Sequence, residues 1–583
     1  MLGQRSPQKT LFEADTQYLD FVGRGSFYAF LASQRGQLFR DEDFAGLYNA
    51  TWGRPSVPPS LLATALVLQT YDAVSDDEAR RRATYDLQWK VALGIELDAK
   101  PFAKSTLQEF RAQLVLHEEQ RALFRRSLEL AKRKGHFKGE RKLTLALDTT
   151  NILGQGAVKD TYNLLADGSV LVLRALAQQA GQKLAQYAEA HGYGRYVAGL
   201  SLKGQAEIDW QDAGQRRRFL AGIVADADRL LEEVRQARGR LEPDSPEDRR
   251  LEEAAGLLSR VLVQDIERQE DGPDLRDGVA RDRMPSVHDP EMRHGRKSKA
   301  KRFDGHKLQL AVDTESQLIT DVAVLAGNAA DREQALRVVE ESEALTGCQV
   351  EETLGDTAYG DGATRRQFAD AGRRLVAKAP PVSNQGYFAK TAFELDLEAR
   401  TCRCPAGQVS QDLRPRGKGG GVFRFAAAIC GACPLRAQCV RGRGGRSVQV
   451  HPQEALLQEA RLFQRTPAFR VAQAFRQVAE HRLARLVQLG IRQARYRGTA
   501  KTLFQAFMAA TVANLTLLAA GSGASLPLLV LAAWLLALVA HYQQPLNHLP
   551  PLQLFAYRPG ASNSRLLYST PALLKIAPCR PDF

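Results

Sequence analysis

Apolar positions recur every three to four residues through most of the first 130 residues, a spacing that predicts helices. Residues 55–60 read as a loop opening the helix SLLATALVLQTYDAV at Ser60. Ser75 with Glu78, and Ser105 with Gln108, fit capping boxes for the next two helices. At 143 the pattern changes. Leu143–Leu147 is a short unbroken apolar run, the mark of a buried strand, and it stops at Asp148 ahead of a Gly-x-Gly turn at Gly154 and Gly156. Helical spacing returns over 170–270, broken by PDSPED at 243–248, and 271–286 reads as a loop. Two strand-like runs at 303–325 flank the turn TESQ. A helix is expected from Asp331 to Leu345, then a strand, VEETLGD, that ends in Asp356. Residues 374–450 are Gly- and Cys-rich, and the last two long helices fall near 466–490 and 499–519. A sheet interrupted by helices, with acids where its strands end, is a multi-domain α/β protein.

The run LPLLVLAAWLLALVA at 526–540 is 15 residues long, short of the roughly 20 that a membrane span needs, so it reads as a buried or partner-covered helix and no membrane is expected. At 583 residues the chain has room for about three or four domains. Its net charge of +14 points to a polyanion, most often nucleic acid. Five of the seven cysteines fall within 402–439, which argues against a secreted disulfide framework and for a reduced, cytoplasmic setting. The N-terminus lacks the apolar stretch of a signal peptide.

Three features carry chemistry. The first is the set of acids. Asp148 and Asp356 end strand-like runs, and Glu480 is the one acid at the centre of a basic helix, 470–501. Carboxylates converging from separate elements can hold the paired divalent ions that clamp a phosphodiester. On chemistry alone Asp160, Asp289, Asp313, Asp331 and Asp361 compete with them. The second is cysteine spacing: Cys402-x-Cys404, then Cys430-x2-Cys433-x5-Cys439. Cys430, Cys433 and Cys439, with Cys404 or Cys402, suit one structural Zn2+ that staples a segment too poor in apolar residues for a core of its own. The third is basic clustering. Arg296, Lys297 and Lys299 crowd one segment, and Arg492, Arg495, Arg497 and Lys501 crowd another around Tyr496, as phosphate clamping with base stacking requires.

The chain resembles bacterial insertion-sequence transposases of the DDE type, in the IS1182 group of the IS4-like, RNase H-fold class. The resemblance is carried by LALDTTNILGQGAVKDTYNLLADG (145–168), SVHDPEMRHGRKSK (286–299), FDGHKLQLAVDTESQLITDVAVLAGNAADREQA (303–335), LGDTAYGDG (354–362), CPLRAQC (433–439) and RQARYRGTAKTLFQAFMAATVANL (492–515), with 53–95 similar to the family's helical N-terminal domain. It implies Asp148, Asp356 and Glu480 as the catalytic acids, holding two Mg2+ or Mn2+. It further implies nicking at the ends of the element, joining of the 3′-hydroxyl to target DNA, and a homodimer that holds two ends. The class carries a Tyr-x2-Arg-x3-Glu-x6-Lys signature around the third acid. Here Arg476 and Glu480 fit, while Gln473 and Val487 replace the Tyr and Lys, and His481 follows Glu480 where relatives usually have Arg. Arg482 and Arg485 are the replacements for the missing lysine on this reading.

The expected organisation is a helical DNA-binding domain (1–140), a first part of an RNase H-like core (141–169), a helical insert (170–285), a second part of the core (286–373), a Cys-rich insert (374–455), C-terminal core helices (456–520) and an apolar tail (521–583). Two rival functions share these residues: a metal-dependent nuclease without strand transfer, and a non-catalytic DNA-binding protein descended from a transposase.

Overall fold

Seven helices precede the first strand in the computed structural model, which describes residues 1–5, 13–50, 52–298, 300–417 and 419–521. Lys299, Cys579 and the apolar run at 526–540 lie outside the described residues. The helices are α1 (Ala14–Val22), α2 (Phe27–Leu38), α3 (Pro59–Tyr71), α4 (Asp76–Tyr85), α5 (Leu87–Leu93), α6 (Lys104–Leu116) and α7 (Ala122–Arg133). Ser75 caps α4 as its position suggests, its hydroxyl accepting from the Glu78 N–H at 3.2 Å. The second expected cap is corrected. α6 starts at Lys104 behind Ala103, so Ser105 already lies inside it, and Gln108 donates to Asp76 instead. α3 is buried from Pro59 to Gln69 on every face, as a helix apolar all round must be.

β1 (Leu143–Leu153) follows, and then a helical excursion: α8 (Thr161–Gln179), α9 (Leu184–Ala190), α10 (Leu202–Gln205), α11 (Ala213–Arg238) and α12 (Pro246–Asp265), closed by the hairpin β2 (Ile266–Gln269) and β3 (Gly272–Leu275). This insert packs round a core of its own that includes Leu164, Leu173, Ile223, Leu230 and Leu258. The break within PDSPED is where the sequence puts it, with Ser245 capping α12 and Pro246 in its first turn.

The sheet resumes with β4 (Arg293–Arg296), β5 (Arg302–Asp313) and β6 (Ile319–Ala326), then α13 (Ala335–Thr346), β7 (Val350–Leu354), α14 (Gly362–Asp370) and β8 (Arg374–Val376). Across the sheet the order is β4–β5–β1–β7–β8, and β6 also pairs with β5. β5 runs antiparallel to β1, while β7 and β8 run parallel to it. Leu145, Ala146 and Leu147 are fully buried, so both faces of β1 are covered and its hydrophobic run is continuous rather than alternating.

Two small sheets form the Cys-rich insert. One is β9 (Glu394–Asp396), β10 (Thr401–Arg403) and β11 (Val409–Ser410); the other is β12 (Leu413–Arg416), β13 (Gly420–Arg424) and β14 (Ser447–Val450), with α15 (Ala427–Gly431) and α16 (Arg436–Cys439) between its last two strands. Then come α17 (Glu454–Phe463), α18 (Pro467–Phe475), α19 (Gln477–Gln488) and α20 (Thr499–Ala519). The single helix expected over 466–490 is therefore two, α18 and α19, which meet at Arg476.

α20 is long and apolar enough to cross a membrane by length and composition, yet 72% of its most apolar window is buried inside the protein. It is a core helix. Phe507 packs tilted at 5.4 Å against Phe124 of α7, and one continuous apolar core joins the N-terminal helices, the sheet and α20. Asn514, fully buried, accepts from the Ile319 N–H at 2.9 Å and donates to its carbonyl at 2.8 Å, which satisfies the backbone at the start of β6. Truncation would leave both groups buried without partners. Asn514→Ala is therefore expected to destabilise the protein by about 2–4 kcal/mol, measured as a lower denaturation midpoint.

Candidate active site

Asp148 sits in the middle of β1 and not at its end, because pairing with β5 carries the strand on to Leu153. The edge opens on the other side. β7 stops at Leu354, level with Ala146, and the chain turns at Gly355 and Asp356. Asp356 therefore emerges beside Asp148. Each carboxylate holds a local backbone donor, Thr149 N–H on Asp148 and Ala358 N–H on Asp356, both at 2.8 Å. Glu480 comes from the first turn of α19, and its side chain is 52% exposed. The break before α19 presents Arg476 between two of the acids: its guanidinium donates to Asp148 at 3.4 Å and pairs closely with Glu480.

Burial pushes the Asp148 carboxyl up to about 6. The Asp356 and Glu480 carboxylates push the same way, against the Thr149 N–H and Arg476. Three oxygen-donor side chains, one resisting ionisation beside the other two, are a donor set suited to a hard divalent cation. Among the described residues, however, no group of three or more His, Cys, Asp or Glu is placed to hold a metal ion. Arg476 supplies the local countercharge. Beneath the acids Tyr359 is fully buried, its hydroxyl accepting from Gln309 at 3.1 Å. Neither residue stood out in the sequence, although Tyr359 lies within the motif LGDTAYGDG.

The competing aspartates have other work. Asp160 and Asp361 cap α8 and α14. Asp313 pairs with Arg141 and Asp331 with Lys307, both at 2.7 Å. Asp289 accepts from the Gly498 N–H at 3.1 Å.

The basic residues divide. Arg296 and Lys297 are exposed at the end of β4 and just beyond it, and Arg497 and Lys501 are exposed at the start of α20. Arg485 is half-buried on α19 and donates to Gln488. Arg495 is tied to Asp76 at 3.5 Å. Arg492 grips β1 through Thr150 and Asn151, at 2.9 and 2.8 Å, as the chain zips onto Leu153. Arg482 is corrected: it is buried and donates to the Ala513 carbonyl of α20 at 2.6 Å, so it braces two helices instead of facing phosphate. Tyr496 is likewise engaged, its hydroxyl accepting from Arg111 at 2.7 Å, and is not a free stacking platform.

Cys404, Cys430, Cys433 and Cys439 line one small pocket of about 20 Å3, beside Phe388, Phe425 and Leu435. The Arg446 N–H donates to the Cys430 sulfur at 3.4 Å. Of the two candidates in Cys402-x-Cys404, Cys404 is the one that lines this pocket. Cys402 faces the apolar core, where burial pushes its thiol up to about 11. As placed, the sulfurs do not form a ready metal cage.

Two segments of the chain match known sequence families. Residues 403–519 match the family described as Transposase DDE domain, and residues 17–113 match Transposase domain (DUF772). Together they indicate an insertion-sequence DDE transposase, consistent with the IS1182-like group. The DDE match takes in Glu480 and begins beyond both aspartates. It implies an RNase H-like core and DNA as partner, and it suggests a DNA-cleaving or DNA-transferring enzyme; the family typically uses divalent metals. No curated protein and no solved structure matches the chain.

A raised folded-state value means that Asp148 binds its proton more tightly folded than unfolded. Its contribution to stability is complete below about 4 and is lost as pH rises through about 6. Relative to wild type, Asp148→Asn is expected to gain roughly 1–3 kcal/mol between pH 4.5 and 7.5. Paired thermal melts across that range measure it.

Proposed function

We propose that the chain binds the terminal repeats of its own element, cleaves the DNA there and joins the 3′-hydroxyl ends to target DNA. The observation that carries this reading is the meeting of Asp148, Asp356 and Glu480, hundreds of residues apart in sequence, at one open sheet edge in a chain with two transposase-domain matches.

In this reading Asp148, Asp356 and Glu480 would hold Mg2+ or Mn2+, which would supply positive charge to the reacting phosphodiester. The chain's own residues do the rest. Strand pairing with β5, together with β7 as far as Ala146, fixes Asp148, and the Tyr359–Gln309 contact supports the floor. Arg476 holds Glu480 toward Asp148 and supplies their countercharge. The exposed cations Arg296, Lys297, Arg497 and Lys501, with Lys299 and Arg485, bind flanking phosphates and set the register of the duplex without reading its bases. Arg492 and Arg495 act from behind by fixing the segment that carries Arg497. A homodimer pairs two ends.

The test is Mg2+-dependent cutting of DNA carrying the element's own ends. Wild type is expected to cut, and Asp148→Asn, Asp356→Asn and Glu480→Gln are each expected to fall to background while still binding the DNA. Joining of the cut end to a plasmid separates a transposase from a nuclease. Cutting by Glu480→Gln would remove Glu480 from the site, and binding without any cutting by wild type would favour the DNA-binding relic.

We also propose that Cys404, Cys430, Cys433 and Cys439 draw together on one structural Zn2+, which deprotonated thiolates bind tetrahedrally. Protein purified without chelator should carry one zinc per chain, and the double change Cys430→Ser with Cys433→Ser should lose it. A metal-free wild type would mean that the four thiols serve only as apolar packing.

A further inference from the structure

The second sheet of the Cys-rich insert has two unlike faces. Its pairing register aligns Leu413, Phe423 and Val448 in one cross-strand row, and this row turns into the apolar core of the insert. The alternation of side chains then dictates the other face. Arg414, Val422 and Gln449 form its central row, Arg416 lies beyond on β12, and Arg424 pairs with Ser447 on the far side. These arginines are exposed. Arg414 touches the one nearby acid, Asp412, at 3.1 Å. Among the described residues, Arg416 and Arg424 form no ion pair.

This face lines a cleft of about 640 Å3, whose wall is completed by Arg446. The Arg446 guanidinium is held in place by the Phe388 carbonyl at 2.9 Å and by the ring of Phe393. The local charge is extreme. Residues 401–450 contain nine arginines and lysines against the single acid Asp412, a net of +8 out of the chain's +14. A solvated surface normally intersperses both signs. Here one sign crowds one concave face.

We infer that the arginine face of β12–β14 is a second DNA-binding surface, one that grips the phosphate backbone of duplex DNA away from the carboxylate site. This rests on the transposase reading for its choice of polyanion. Arg414 and Arg416, two residues apart on one strand, stand roughly 6–7 Å apart, of the order of the separation of neighbouring phosphates along a DNA strand. Gly420, opposite Arg416 on β13, keeps that end of the face low enough for a backbone to approach. The face is coupled to the carboxylates through the chain: β14 leads into α17, His451 lies against Gly362 at the start of α14, and α14 follows Asp356 by a single short turn. A duplex seated there is held by the body that carries the second acid. Arginines with no base-reading partner give contact without sequence preference.

The experiment uses the full chain and fluorescence anisotropy with a 30-bp duplex of unrelated sequence, titrated at several salt concentrations. The triple variant Arg414→Gln, Arg416→Gln, Arg424→Gln is compared with wild type and with Arg235→Gln, Arg250→Gln on the helical insert. At 100 mM salt the triple variant is expected to bind at least about tenfold more weakly. Its slope of log affinity against log salt should be shallower by about 2–3, one counterion per lost phosphate contact. The control should change neither. Should the triple variant unfold, Arg416→Gln and Arg424→Gln alone are each expected to take about a third of the slope. Unchanged affinity and slope in the triple variant overturn the inference. Cutting of terminal DNA by wild type, scored separately, tells that failure apart from a failure of the transposase reading.

Discussion

Three carboxylates brought to one place repel each other, and everything about this sheet edge answers that repulsion. Two unit charges 4 Å apart cost about 4 kcal/mol where the effective dielectric is near 20. Burial already makes the Asp148 carboxyl resist ionisation, and the Asp356 and Glu480 carboxylates add to that resistance. The site therefore needs rigid supports and a countercharge. β1 supplies the first, being paired on one side along its length and on the other only as far as Ala146. Arg476 supplies the second, and it reaches both Asp148 and Glu480 because it stands where α18 ends and α19 begins. A straight helix would carry Arg476 and Glu480 on one face, but the break sets the angle at which that face meets β1.

The rest of the molecule separates rigid support from adaptable surface. The main core takes in the N-terminal helices, the sheet and α20 together. The helical insert and the Cys-rich insert each have a core of their own. Charge follows the same division. Within the main body many arginines are spent on internal contacts, such as Arg111 with Asp76 and Tyr496, or Arg482 with Ala513. On the Cys-rich insert they are left facing outward.

Much of this was legible in the sequence, and the exceptions have physical causes. An apolar run stopping at an acid pointed to β1 and Asp148, and a strand-like segment ending in an acid pointed to β7 and Asp356. The far half of β1 was not legible, because the polar Thr149, Thr150 and Asn151 interrupt the apolar run and only pairing with β5 makes them strand. Arg482 was misread as a surface cation, although Ala479, Leu483 and Leu486 share its helix face and are buried with it. The helix break at Arg476 left no local sign: neither Gly nor Pro marks it, and tertiary packing alone imposes it. The arginine face of the insert was written in plain alternation, Leu413 in, Arg414 out, Arg416 out, but strands this short carry too few positions to reveal their period.

The position of α20 in the chain has a consequence for synthesis. Among the described residues, Thr499–Ala519 are the last of the main core to leave the ribosome, while Phe124 and the other N-terminal helix residues it covers are among the first. For most of translation the early helices must wait with an apolar flank uncovered, and the first two acids are made well before the third. The nascent chain thus holds its two aspartates on an unfinished scaffold. The carboxylate cluster is completed late and together with closure of the core, so a chain cut short before α19 would lack both Glu480 and the helix that covers the early helices.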